Sequence, residues 1–485
     1  MKRAALLLTA LVAGFGFAQN EPTISEETET CLMCHESATP GIVADWRTSR
    51  HARTTFAQSL KKDALERRTT AEAPPDGVAG DVVVGCYECH ALNADAHADN
   101  FAHFDFNINV IVTPNDCAGC HPTEAEEYSH SKKGNAHDNL TKNPLYMSLV
   151  NSISSVKSYD GAIARIPSGD IRGETCLACH GTVVEVAGTE TVESDFGDFE
   201  APVLTNWPNH GVGRINPDGS KGACSACHPR HSFSIEIARK PYTCGQCHLD
   251  PDVPAFPVYK ESKHGNIFSS KGDDWNYSNV PWVVGEDFTA PTCATCHHST
   301  IVSPDGEVIA ERSHDFGTKI WTRLFSLVYS HPHPKDGRTH LIRNADGQPL
   351  PTTFDMRPAS DYLIDEETQR ARRDNMRDLC ASCHSSRYAE NHFAKLDRAI
   401  EQADSTVLAT TKLMTAIWGA GVEDGDNPFD ETLELTWVRQ WLFYANSVKY
   451  ASAMGGPDYA TFKNGWYELT HTLEKMKTAL ESATE

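Results

Sequence analysis

All sixteen cysteines of this 485-residue chain fall in one pattern, C-x-x-C-H, repeated eight times. The motifs are CLMCH (Cys31, Cys34, His35), CYECH (Cys86, Cys89, His90), CAGCH (Cys117, Cys120, His121) and CLACH (Cys176, Cys179, His180). CSACH (Cys224, Cys227, His228), CGQCH (Cys244, Cys247, His248), CATCH (Cys293, Cys296, His297) and CASCH (Cys380, Cys383, His384) follow. No cysteine is left for disulfides, the ordinary use of cysteine in exported proteins. The repeated unit is the attachment signal of a c-type haem. Two thiols three residues apart lie on one face of a helical turn. There they meet two vinyl groups on one porphyrin edge, and the next residue, histidine, faces the iron as an axial ligand. Zinc also binds C-x-x-C pairs, but it does not require histidine at the fifth position of every motif. A thioredoxin-like role needs one such motif, not eight. The spacing therefore implies eight covalent haems c.

Eight porphyrins change what the chain must bury. Only 40% of its residues are hydrophobic and its mean hydropathy is −0.44. Large apolar porphyrin faces can serve as core, so long segments can be held by cofactor contacts instead of by sheets. The expected fold is mainly α, with long irregular haem-wrapping loops, as in a multihaem cytochrome c. Residues 19–365 hold seven motifs, and residues 366–485 hold the eighth and a C-terminal bundle of long helices. There Phe393, Leu396, Ile400, Val407, Leu408 and Ile417 recur at helical spacing up to the GAG at 419–421. NPFDE opens a second helix carrying Trp437, Trp441 and Leu442, and Trp466, Leu469, Leu473, Met476 and Leu480 mark a third. DFNINVIV (105–112) and TVVEVAG (182–188) read as short strands.

Charge and the N-terminus set the compartment and the partners. With 66 acidic against 43 basic side chains, the net charge is −23, which repels nucleic acid and suits a basic redox partner, such as a small cytochrome or a quinone-linked cytochrome. Lys2 and Arg3 precede an apolar run from Ala4 to Phe17, and Gly16 and Ala18 are small. Residues 1–18 thus read as a secretory signal peptide, giving a periplasmic or otherwise exported mature chain. The run is short for a spanning helix, and no second one occurs, so the mature chain is not expected to span a membrane.

An iron with two protein ligands only passes electrons, whereas an iron with one can bind substrate. Eight of the 23 histidines belong to the motifs. Candidates for the opposite faces are His51, His103, His137, His231, His264 and His314. His97, His130, His210, His298, His331, His333, His340, His392 and His471 are weaker. His231 lies three residues from His228, too near to share its iron, so it reaches a neighbouring haem.

The run CHPRHSFSIEIARKPYTCGQCH, SKHG (Ser262 to Gly265), PTCATCH and TSRHA carry a resemblance to the octahaem hydroxylamine oxidoreductases. That resemblance implies an enzyme acting on small nitrogen compounds, with the fourth haem, at Cys176, Cys179 and His180, catalytic and open on one side. It implies a homotrimer, with a tyrosine of one subunit bonded to a neighbour's catalytic haem. Here GGPDY (Gly455 to Tyr459) stands at the comparable place, making Tyr459 the candidate and Tyr467 the reserve. GGPDY favours hydroxylamine oxidation. The resembled family has an Asp-His pair after the sixth motif, but this chain has Asp252 and Val253. The carboxylate can still move a proton, but the missing imidazole brings the reductive direction, from nitrite or hydroxylamine to ammonium, close behind. A conduit with every iron saturated is the non-catalytic alternative. Relative to that family, residues 181–222 and 331–351 are insertions. The first could shape the substrate pocket or supply His210, and the second reads as a surface loop with hairpin-like turns at its DG pairs.

Overall fold

The computed structural model describes residues 23–325, 327–456 and 465–484. The chain is mainly helical with a few short strands, as expected, and the haem motifs sit on tight helical turns. Cys86–His90, Cys176–His180 and Cys293–His297 are each a five-residue helix bounded by the first cysteine and the histidine. The first motif is embedded in the helix Glu26–Ala38, whose N-cap Ser25 accepts a hydrogen bond from Thr28 N at 3.3 Å. The last motif begins at the C-terminal end of Glu366–Ala381.

The strands form small hairpins rather than one sheet. Asn100–His103 pairs antiparallel with Phe106–Asn109, within the region read as strand. Val186–Val192 pairs with Phe199–Leu204, so this strand starts four residues later than TVVEVAG suggested. The cause is a competing partner. Val184 N donates to Ile215 O and Ile215 N to Thr182 O, each at 3.0 Å, which ties residues 182–184 to the far end of the same insertion. The second insertion is no surface loop, since His331, His333, Asn344 and Leu350 are buried, but its second DG pair does make a tight turn, in which Gly347 N donates to Asn344 O at 2.9 Å. His331–Pro332 pairs outside it, with Thr322–Arg323. Asn344 Oδ1 accepts from Asp346 N and Gln348 N, a side-chain turn completed by Gly347 at φ +78°.

The main hydrophobic core lies in the C-terminal region. Tyr329, Leu350, Met414, Ile417, Phe429, Trp437, Trp441 and Leu469 are buried together. The helix Ser386–Gly419 ends at the predicted glycine and packs against Gly465–Thr484. The middle helix starts at Thr432, later than NPFDE suggested. Glu434 takes the backbone N–H groups of Asp430 and Glu431 and fixes the start there, while Phe429 turns into the core. After Arg439 the helix passes through a wide turn, Gln440–Ala445, and resumes as Asn446–Ala453. Such π-type turns redirect one face of a helix. Here Asn446 Nδ2 donates to both Leu442 O, at 2.6 Å, and Asp252 O, at 3.1 Å. The wide turn thereby ties the helical region to the segment after the sixth motif. A buried ion pair, Lys449 Nζ to Asp404 Oδ1 at 3.1 Å, anchors the same helix.

One buried histidine of the weaker group has an architectural place. His97 lies between Asp99 and Asp116, 3.2 Å from each. Burial alone would lower its pKa, but the hydrogen bonds it donates to Asp116 and Asp99 outweigh burial and push it up to about 10. The folded value lies above the unfolded value of about 6.5. Its stabilising contribution is therefore complete below about pH 6.5 and disappears as pH rises toward 10. Melting temperature measured across pH 6–10 should fall more steeply for the native chain than for His97→Gln. Parallel curves would remove this role. Among the described residues, no helix is long and apolar enough to cross a membrane.

Candidate haem and catalytic site

Two imidazoles held by one iron have a characteristic separation. Two metal–nitrogen bonds of about 2 Å each plus the inner halves of two rings come to about 6 Å between ring centroids. Four motif histidines meet a distant histidine at this spacing: His35 and His103 at 6.1 Å, His121 and His51 at 6.2 Å, His90 and His231 at 6.5 Å, and His384 and His264 at 6.1 Å. Each pair spans different segments, and His231 faces His90 of the second motif rather than His228. His298 and His314 form a fifth pair at 6.4 Å, and both feel the charge of His228. Nδ1 of His90 donates to Asn109 O at 2.8 Å and Nδ1 of His180 to Ala136 O at 3.2 Å. Those bonds fix the tautomer and leave Nε2 for a metal. Burial lowers His51, His228 and His297 to about 4, so they are neutral at pH 7, as metal ligands must be. The residues therefore fit haem c.

Neighbouring thiols reveal the order of the motifs in space. Cys117 lies beside Cys224, Cys179 beside Cys247, and Cys293 beside Cys244. Cys86 lies within electrostatic reach of Cys31, Cys89 of Cys120, Cys227 of Cys244 and Cys247, and Cys296 of Cys380. The path thus runs through motifs one, two, three, five, six, seven and eight. The fourth motif branches from the sixth.

That branch has its own surroundings. The charges reaching His180 are those of Arg323, Asp252 and Lys133. Burial raises the pKa of Asp252 despite two backbone hydrogen bonds and the nearby His180. Tyr450 is raised to about 12, by burial first, with Arg323 and Asp252 as its charged neighbours. Among the described residues no ring contact joins His180 to another imidazole, and the same is true of His228, His248 and His297. His248 instead meets an amine, with Lys133 Nζ 3.4 Å from its Nε2. The first insertion walls the fourth motif: Val212 N donates to Cys179 O at 2.9 Å and Asn209 Nδ2 to Leu177 O at 3.2 Å. Gly213 sits so close to His180 O that a Cβ there would lie 2.7 Å away.

Comparisons with known proteins identify the kind of chain this is. The family model "Seven times multi-haem cytochrome CxxCH" matches residues 217–308, and "Cytochrome c554 and c-prime" matches 30–107 and 116–198. A solved structure described as a hypothetical multiheme protein is 45% identical, at TM-score 0.89, over 95% of this chain and 96% of that one. A probable nitrite reductase-hydroxylamine oxidoreductase fusion protein of Kuenenia stuttgartiensis is 26% identical over 76% of this chain. The chain belongs to the multihaem c-type cytochromes. It spans 35% of the length of the Kuenenia fusion protein. The same fold, at TM-score 0.60 and 20% identity, occurs in a Kuenenia stuttgartiensis reducing HAO-like protein complex, over 95% of this chain and 85% of that one.

Other candidates of this multihaem cytochrome lie elsewhere. Among the described residues no ring contact joins His137 to another imidazole, and its Nδ1 lies 3.4 Å from Asp138 Oδ1. His210 takes a hydrogen bond from Arg230 at 3.1 Å, so the insertion contributes walls to the fourth motif without bringing His210 into contact with His180. His331 is buried with its Nε2 unpaired, and Arg323 is the first charge it feels. His340 bonds to Asn139 and His392 to Ala453 O, while His471 lies near Glu468. Tyr467 is exposed, and Tyr459 lies outside the described residues. Arg323, Tyr450 and Lys133 were not among the sequence candidates. A groove of about 680 Å³ beside Phe354, Lys412 and Trp418 contains no motif residue.

Proposed function

We propose that this cytochrome carries eight haems c and is an exported oxidoreductase of small nitrogen compounds. Cys176, Cys179 and His180 would hold the haem that meets substrate, and Cys244 and Cys247 would hold the one that links it to the remaining motifs. The observation that carries this reading is that Arg323 and Asp252 act on both His180 and Tyr450. When bound there, the haem would supply the redox chemistry, drawing its electrons from an external partner. Arg323 attracts an anion and holds its oxygen atoms. Asp252, kept protonated by burial to a higher pH than an exposed carboxyl, is a proton donor to the bound substrate. Tyr450, also protonated, is a second hydrogen-bond donor.

A cation and two proton donors suit a reaction that consumes an anion and protons. Nitrite reduction to ammonium does both: nitrite, eight protons and six electrons give ammonium and two waters. A redox partner outside the cytoplasm supplies the electrons. Hydroxylamine oxidation is the second reading, favoured by GGPDY and resting on a bond to Tyr459 and on a homotrimer. Turnover should be assayed with nitrite and reduced mediator, and separately with hydroxylamine and oxidised mediator. Faster nitrite consumption with ammonium as product is expected. Faster hydroxylamine oxidation, with a covalent trimer surviving denaturing electrophoresis, reverses the direction. Inactivity with both makes the protein an electron conduit.

A further inference from the structure

We infer that Lys133 is the axial ligand opposite His248, so that the haem attached at Cys244 and Cys247 is held by an amine and an imidazole. The proposal rests on the haem reading of the sixth motif and not on the identity of the substrate.

Two independent observations carry it. One is distance: Lys133 Nζ lies 3.4 Å from His248 Nε2, and two nitrogens bound to one metal stand about 4 Å apart. The other is an internal repeat. Ser131-Lys132-Lys133-Gly134-Asn135 matches Ser262-Lys263-His264-Gly265-Asn266 at every position but one, and the differing position is the ligand. His264 faces the motif histidine His384 at 6.1 Å.

The two segments also fold alike. Ser131 Oγ donates to Tyr128 O and Ser262 Oγ to Tyr259 O, each at 2.7 Å. Gly134 N donates to Ser131 Oγ at 3.0 Å and Gly265 N to Ser262 Oγ at 3.1 Å. Asn135 Nδ2 reaches Ser131 O at 2.9 Å, and Asn266 Nδ2 reaches Ser262 O at 2.8 Å. Neither glycine has room for a Cβ, because each packs against the preceding aromatic residue's carbonyl. The scaffold thus presents its third residue in the same way both times, toward a motif histidine. His51 is a shorter instance. It lies two residues after buried Ser49, whose Oγ accepts from Ala52 N at 3.1 Å, and it faces His121 at 6.2 Å. In two copies the presented residue is histidine, and in the copy facing His248 it is lysine.

The position gives the exchange a consequence. The sixth motif is where the branch from the fourth joins the main path. Axial-ligand identity sets a haem's reduction potential, so an amine there sets the junction apart from the imidazole-paired first, second, third and eighth motifs without opening its iron to substrate.

The test uses the full-length holoprotein and its variants Lys133→Ala, Lys133→His and Lys132→Ala. It reads electron paramagnetic resonance, near-infrared magnetic circular dichroism and a potentiometric titration of the haems, with haem content per chain as the control. In the native protein one low-spin haem per chain should carry an amine–imidazole signature. Lys133→His should convert that signature to bis-imidazole and shift one midpoint potential. Lys133→Ala should turn one low-spin iron high-spin or water-bound, and Lys132→Ala should leave the spectra as they were. If Lys133→Ala fails to assemble, the native and Lys133→His spectra decide. Only bis-imidazole low-spin signals in the native protein, unchanged by Lys133→His, would leave Lys133 as an ordinary hydrogen-bond partner of His248 and overturn the inference. A Lys133-dependent spectrum in a protein inactive on nitrogen compounds sinks the proposed function alone.

Discussion

Produced without haem attachment, the chain is expected to lose ordered structure through residues 23–222 while its C-terminal helices persist. The two regions are built on different cores. The hydrophobic cluster formed within the first is Leu32, Val43, Trp46 and Val83, with Ile24 and Ala52 against it. The C-terminal cluster holds Trp437, Trp441, Phe429, Tyr329 and many aliphatic side chains. The motif cysteines are partly exposed along the first region, where porphyrin faces complete the interior. If each haem buries on the order of 500 Å² of apolar surface, at about 25 cal/mol per Å² it contributes on the order of 10 kcal/mol. Net domain stability is about 5–15 kcal/mol, so a region holding four such groups does not fold without them. Hydrogen exchange of apo and holo protein reads the outcome. Residues 23–222 should exchange freely in the apo chain, whereas 386–419 and 432–453 stay protected. Equal protection of both regions in the apo protein would show that the polypeptide supplies its own core.

The same contrast explains how much was legible in the sequence. The motifs are local, because cysteine, cysteine and histidine act from one helical turn, so all eight motifs could be read directly. The long C-terminal helices were legible too, since Phe393 to Ile417 repeat at one period over many turns. Opposite-face ligands are long-range. Nothing near His103 says that it meets His35, because 68 residues and a hairpin bring the two together. Arg323 and Tyr450 left no pattern at all: one sits on a two-residue strand and the other follows a wide helical turn. Lys133 did leave a signal, the SKKGN/SKHGN repeat, hidden by a search for ligands restricted to histidine. The strand read at 182–188 starts late, at Val186, for a related reason, since Ile215, more than thirty residues away, claims its first residues.

Replacing Asp252 with asparagine is expected to lower kcat for nitrite roughly 10²–10⁴-fold, the range of general acid catalysis. Asparagine keeps the shape of the side chain and cannot release a proton. The backbone carbonyl of residue 252, which takes the Asn446 hydrogen bond, is untouched, so the fold should hold. The pH profile separates a proton donor from a spacer. Burial raises the pKa of Asp252, so the acid form persists above the usual carboxyl range of about 4. As pH rises through the raised value the donor is lost, and kcat of the native enzyme should fall along that limb, while the profile of Asp252→Asn should be flat there. Arg323→Met probes the other half of the site. Arg323 is the first charge acting on His180 after burial and its backbone bond. Its removal should raise KM for nitrite, an anion, at least tenfold and leave KM for neutral hydroxylamine within about twofold, because a charge-assisted contact worth about 1.5–3 kcal/mol is lost only with the anion. Equal effects on the two substrates would mean that Arg323 supports the fold of the Thr322–Arg323 strand and does not meet the substrate. A native pH limb retained in Asp252→Asn would move the proton donor to Tyr450 or His331.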